Sequence, residues 1–236
     1  MASKPNQPYQ PLLLRILHGL TGLFLIFAIL TAFWTYNTYD GRWGRIPLPY
    51  YEDSESLHGT FALYTLLIFP FFMIYACHQG QKKLWQPDSL SKLLQVGRPI
   101  WWYTLSRISN TLSLLALTFA LFSGKMMDED WLPEGELDHF WYYAHLWSWV
   151  IMVSSVVWHI LMNAKIGGLP FLLSIFRLRF RDHDHPSHWS HHISQWLTNF
   201  SWNSAIFWVQ KNPLYSGLEI TVLMSLVVAW MIPLLD

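Results

Sequence analysis

Long uncharged runs alternate with polar connections along this chain. Residues 16–34, 57–78, 108–124 and 140–164 contain no Asp, Glu, Lys or Arg. Each approaches or reaches the roughly 20 apolar residues that a helix needs to cross a bilayer. A fifth run, 220–235, is shorter and is preceded by Glu219. It is the weakest of the five, so four and five spans both stand, with five preferred. The first run is too long for a signal peptide, and no small-residue cleavage site follows it. The connections at 36–56, 79–102 and 125–138 carry the Gly, Pro and charged residues. Residues 165–212 form a long connection. Within it, 168–180 reads as a short interfacial helix. The stretch 183–208, with Trp189, Trp196, Trp202 and Trp208, reads as an amphipathic segment at the headgroup level. The predicted fold is an all-α integral membrane protein. Its parts are a four-helix transmembrane bundle over 1–165, an interfacial segment over 166–212 and a fifth transmembrane helix over 213–236.

The run 140–164 holds His145 and His159. Fourteen residues at about 100° each leave the two rings on one stripe of the helix, roughly 21 Å apart along its axis. Ionisable residues inside a membrane are functional candidates by default, although a single His can also serve only as a hydrogen-bonding link between helices. Depth supplies partners. His18 lies a few residues into the first run and matches His159. His58 opens the second run and matches His145. Neutral imidazole suits Fe, Cu, Zn and Ni. Zinc wants four protein ligands, and two per site fall short, whereas iron in a porphyrin needs only two axial ones. Two noncovalent bis-His haem b groups are therefore expected. No CxxCH attachment motif is present, and Cys77 is the one cysteine. Gly19, Gly22 and Gly59 leave room for a flat macrocycle; close helix packing is the bland explanation of the same residues. Arg15, three residues before His18, and Arg107 are candidates to pair with haem propionates, or are ordinary basic flanks.

Composition narrows the class. The chain is 53% hydrophobic and only 13% charged, about half the charge of a soluble domain. Net charge is zero, which suggests no nucleic-acid partner. Basic residues cluster on one side. With the N-terminus inside, all Lys and Arg except Arg42, Arg45 and Lys125 fall inside, as the positive-inside rule requires. The expected location is a bacterial cytoplasmic or thylakoid membrane, multi-pass, N-terminus inside. The outer acidic residues Asp128, Glu129, Asp130, Glu134, Glu136 and Asp138 form either a solvated loop or a docking face for a redox partner protein.

These residues resemble the bacterial di-haem b-type cytochromes, namely cytochrome b561 and the cytochrome b subunits of nickel-iron hydrogenases and formate dehydrogenases. The resemblance lies in Arg-Ile-Leu-His at Arg15 to His18, His58 opening the second helix, a third helix without His, Ser123-Gly124 at its end, and His145 with His159. It covers about residues 12–170. It implies a four-helix bundle around two haems that passes electrons to or from quinone, as an electron-transfer subunit of a quinone-linked oxidoreductase. The rival reading is a haem-free membrane scaffold or a His-tract metal transporter built on His183, His185, His188, His191 and His192. That tract otherwise reads as a solvated surface segment. His78 lies about 200° round the helix from His58 and reads as interfacial. His139 lies about 120° off the ligand stripe.

Overall fold

In the computed structural model, residues 9–127, 137–177, 179–199 and 201–231 are described. Five of their helices are long and apolar enough to cross a membrane. These are α1 (Leu12–Tyr39), α2 (Ser54–His78), α4 (Pro99–Lys125), α5 (Phe140–Leu172) and α8 (Pro213–Met231). The short α3 (Ser89–Leu93) lies between α2 and α4, while α6 (Trp189–Thr198) and α7 (Trp202–Lys211) lie between α5 and α8. No strand occurs among the described residues, so the chain is an all-α integral membrane protein.

Two helix boundaries differ from the sequence reading. The third span was expected from residue 108, but α4 begins at Pro99, with Arg98 at the N-cap. Proline suits the first helical position, where its missing N–H costs nothing. The fifth span was expected after Glu219, but α8 begins at Pro213 and takes Glu219 inside the helix. A carboxylate is tolerated there because His78 at the end of α2 meets it, Nε2 to Oε2, at 3.1 Å. Trp208 of α7 stacks on the same imidazole at 4.1 Å. Gly168 interrupts α5 with φ +63°, a left-handed conformation that glycine adopts readily. The chain therefore bends out of the fourth span at the start of the expected interfacial stretch.

α1 packs along α2, and α4 along α5; the two hairpins touch each other only sparsely. α8 covers α2 and α4. The buried core runs through Leu66, Phe69 and Met73 of α2, Leu114, Leu117 and Leu121 of α4, Met152 of α5, and Val222 and Leu226 of α8. Helices in lipid associate by close packing rather than by a hydrophobic drive. Buried Thr104, Ser106, Ser109, Ser123 of α4 and Ser148, Ser155 of α5 let these two backbones approach.

Candidate haem sites between the two hairpins

α1 and α4 start at one end of the bundle, here termed proximal; α2 and α5 start at the other, the distal end. At the proximal end the His18 and His159 rings lie 5.9 Å apart, centre to centre. At the distal end His58 and His145 lie 6.0 Å apart. Each pair spans the sparse seam, one ring from the α1–α2 hairpin and one from α5. Two metal–imidazole bonds of about 2 Å, with roughly 1 Å more from each nitrogen to its ring centre, would put opposed rings about 6 Å apart.

The ring orientations are set by the partners of Nδ1. The His58 Nδ1–H donates to the Ala28 carbonyl at 3.0 Å. Its Nε2 therefore keeps a lone pair. Ser123 Oγ donates to the Ala120 carbonyl at 3.2 Å, so its own lone pair is left to accept from the His145 Nδ1–H at 3.1 Å. For His159 the acceptor is Asn110 Oδ1 at 3.0 Å. Its orientation follows from the opposite end of the amide, where Asn110 Nδ2 donates to the Lys83 carbonyl at 2.7 Å. Asn163 Nδ2 holds the His159 carbonyl at 2.7 Å. Among the described residues the His18 ring has no hydrogen-bond partner; Phe72 meets it edge-on at 5.5 Å. Anchoring one ring nitrogen so that the other presents a lone pair is the usual state of a metal-binding histidine.

Further features bear on whether a flat, anionic macrocycle fits. A Cβ added at Gly19, Gly22 or Gly59 would meet nothing within 4 Å, so these glycines border open space and do not serve helix packing. At Gly124 a Cβ would lie 2.9 Å from Cε1 of His145; this glycine admits the ring itself. Arg15 is 5% exposed. Its Nη1 donates to the carbonyls of Arg177 and Arg179, yet its Nε and Nη2 are buried without a hydrogen-bond partner among the described residues, as is Thr21 Oγ1. Both residues lie one turn from His18. Buried polar groups are normally satisfied, so these atoms mark a place for an acceptor. Among the described residues no group of three or more His, Cys, Asp or Glu forms a metal cluster. The residues therefore suit a metal whose remaining ligands come with a macrocycle.

Charge differs between the ends. Lys83 lies near the proximal pair; burial pushes its ammonium below the ordinary lysine value, and its Nζ donates to Gln10 Oε1 at 2.7 Å. Arg107 sits one turn before Asn110, and its Nε donates to the Lys82 carbonyl at 3.0 Å. Asp184 accepts from Tyr9 Oη at 2.5 Å and from the Leu12 amide, which ties the long connection to the start of α1. At the distal end Asp40 takes Arg42 Nε at 2.9 Å and Tyr142 Oη at 2.7 Å, and Arg42 lies over the Tyr142 and Tyr143 rings. That cluster clamps the α1–α2 loop onto the start of α5. Of the expected acidic docking face, Asp138 reaches Arg42 at 3.6 Å; Asp128, Glu129, Asp130, Glu134 and Glu136 lie outside the described residues.

The structure places His139, His185, His188 and His191 away from the pairs, while the side chains of His183 and His192 lie outside the described residues. His139 caps α5, its Nδ1 accepting from the Trp141 amide. His185 and His188 lie in the proximal connection, rings 6.2 Å apart, and His191 contacts Gln195. The sequence reading passed over Asn110, Asn163, Ser123, Lys83 and Asp184 as partners of the site. Asn110 carried a signal, as one of the few polar residues inside a span. The others become visible only once the helices are paired.

Comparison with known proteins gives one match: a family model described as prokaryotic cytochrome b561 covers residues 9–167. No curated protein and no solved structure matches.

Proposed function

The chain belongs to the prokaryotic cytochrome b561 family, and we propose that it carries electrons across the membrane between two haem b groups, one held by each histidine pair, with quinone as their small-molecule partner. The family binds haem b, and the chain is a multi-pass bacterial membrane protein of electron transport. The observation that carries the finer reading is the arrangement on α5. His145 and His159 share one stripe, and each meets a single imidazole from the other hairpin near 6 Å.

On this reading His18 with His159, and His58 with His145, would each hold the iron of one haem through their free ring nitrogens. Bound iron contributes one-electron exchange between ferric and ferrous states. The protein binds, orients and insulates. Gly19, Gly22 and Gly59 leave the space, and Arg15 offers Nε and Nη2 to a propionate. Arg107 adds positive charge one turn from Asn110. The Lys/Arg bias puts the proximal end, with the 166–212 segment, at the cytoplasmic surface. There α6 and α7 lie against lipid, while residues 1–165 form the haem bundle and 213–236 the added span. The acidic distal loop is the surface for a redox partner protein.

Optical spectroscopy of the purified chain tests this. Two b-type haems per chain, both reduced by a quinol analogue, are expected. A folded, colourless preparation from haem-replete cells contradicts the reading. Haem that never exchanges electrons with quinols leaves the fold and removes the reaction.

A further inference from the structure

The two histidine pairs differ in what holds their ring N–H groups. At the distal pair the acceptors are a backbone carbonyl, from Ala28, and a serine hydroxyl already committed to a second carbonyl. At the proximal pair the acceptor for His159 is a side-chain amide, Asn110 Oδ1. That amide comes from α4, the span without a histidine, and it is held from behind by the Lys83 carbonyl. Both contacts are short, and together they leave the amide one orientation: oxygen to the imidazole, nitrogen to the turn Gln81–Lys83. An asparagine inside an apolar span is costly unless both ends of its amide are used. Here both are.

We infer that Asn110 is a positioning residue that lowers the redox midpoint of the proximal site alone, by drawing on the His159 Nδ1–H. An acceptor on Nδ1 pushes electron density to Nε2 and makes the ring a stronger donor. A stronger donor favours the more highly charged ferric state, and outer hydrogen bonding is one of the protein's levers on haem potential. This inference rests on the haem reading above and goes beyond it, because it assigns a role to a residue that acts through His159. The site takes up one electron, supplied in a titration by dithionite, and His159 keeps its Nδ1 proton throughout. The distal site is its own control: no side chain of comparable freedom sets the His58 ring.

The experiment is a redox titration of the full-length holoprotein, with the proximal transition assigned as the one missing in His159→Ala. Loss of an outer-shell partner commonly costs a metal site tenfold or more in affinity or activity, and a loss of that size confined to the ferric state sets the scale here. Asn110→Leu is therefore expected to raise the proximal midpoint by at least tenfold in the oxidised-to-reduced ratio, which is 59 mV for one electron, and to leave the distal midpoint in place. Asn110→Asp keeps an acceptor facing His159 and adds negative charge, so it is expected to match or fall below the wild-type proximal value. Where Asn110→Leu fails to fold, the Asp variant decides, and a raised proximal midpoint there overturns the inference. A purely structural role moves both variants the same way or moves both sites. Either result overturns the inference, as does an unmoved Asn110→Leu. A wild-type chain without a proximal transition overturns the haem reading itself, a failure distinct from a normal wild-type titration with an unmoved variant.

Discussion

The proximal and distal histidine pairs have nearly the same ring separation, 5.9 and 6.0 Å, but different surroundings. Main-chain carbonyls, a serine hydroxyl and Gly124 frame the distal pair, and its clamp of Asp40, Arg42 and Tyr142 lies in the neighbouring loop. The proximal pair is framed by side chains from four segments, Asn110, Asn163, Lys83 and the buried Arg15, and Arg15 is held by the carbonyls of Arg177 and Arg179 from beyond the family match. Backbone framing fixes a site whatever the local sequence. Side-chain framing leaves it open to adjustment one substitution at a time. The distal site should therefore respond to steric change and the proximal site to electrostatic change.

The largest expected difference between them comes from Arg15→Leu. Two guanidinium nitrogens are buried without a hydrogen-bond partner among the described residues, so in an empty site the substitution loses only the Nη1 contacts to the Arg177 and Arg179 carbonyls. If the two nitrogens hold a carboxylate of the bound group, removing them leaves a buried charge unpaired, at a cost of about 3–5 kcal/mol. Haem content after dilution should show the proximal haem lost and the distal one kept. Unchanged proximal occupancy removes Arg15 from the site.

Gly124→Ala reverses the asymmetry. Its Cβ would sit 2.9 Å from Cε1 of His145, and overpacking of this kind costs about 1–3 kcal/mol. The distal haem should show the shifted spectrum and weaker retention, with the proximal haem unaffected. Equal effects on both would show that the sites are coupled through the helix rather than framed separately.

Asp184→Ala is milder. It removes the acceptor for Tyr9 and for the Leu12 amide, a cap contributed by a residue far along the chain. Loss of a helix N-cap costs about 1 kcal/mol. Thermal melting should fall by that amount, with earlier proteolysis in the 177–184 stretch, and Asp184→Asn should restore most of it. If Asn restores nothing, the carboxylate charge matters rather than the cap.

His78→Ala should have the smallest effect. The ring is half-exposed, and its contact with Glu219 resembles the surface pairs that contribute roughly 0–1 kcal/mol. Both haems should remain by haem assay. Loss of either would bring His78 of α2 into the ligand set.

The pairing of the rings was legible in the sequence, because it rests on local periodicity. The placement of His145 and His159 on one stripe of α5 follows from helix geometry alone. Helix starts were less legible. Pro99 and Pro213 act as first-turn residues several positions before the uncharged runs begin, and only the His78 contact makes Glu219 tolerable inside α8. The framing groups were the least legible. Ser123 and Asn110 stand out in the sequence only as a family-like residue and a polar residue inside a span, and gain a partner once α4 lies against α5; Asp184 is a loop aspartate until it meets the amide of Leu12. Such partners arise from tertiary packing, which a one-dimensional pattern does not encode.

The most direct measurement of the central claim is haem content with redox titration of four variants, His18→Ala, His159→Ala, His58→Ala and His145→Ala, on folded protein. The account predicts that the first two lose one and the same haem, and that the last two lose the other. Loss of both haems from every variant, or a partnership across the pairs such as His18 with His145, would contradict it.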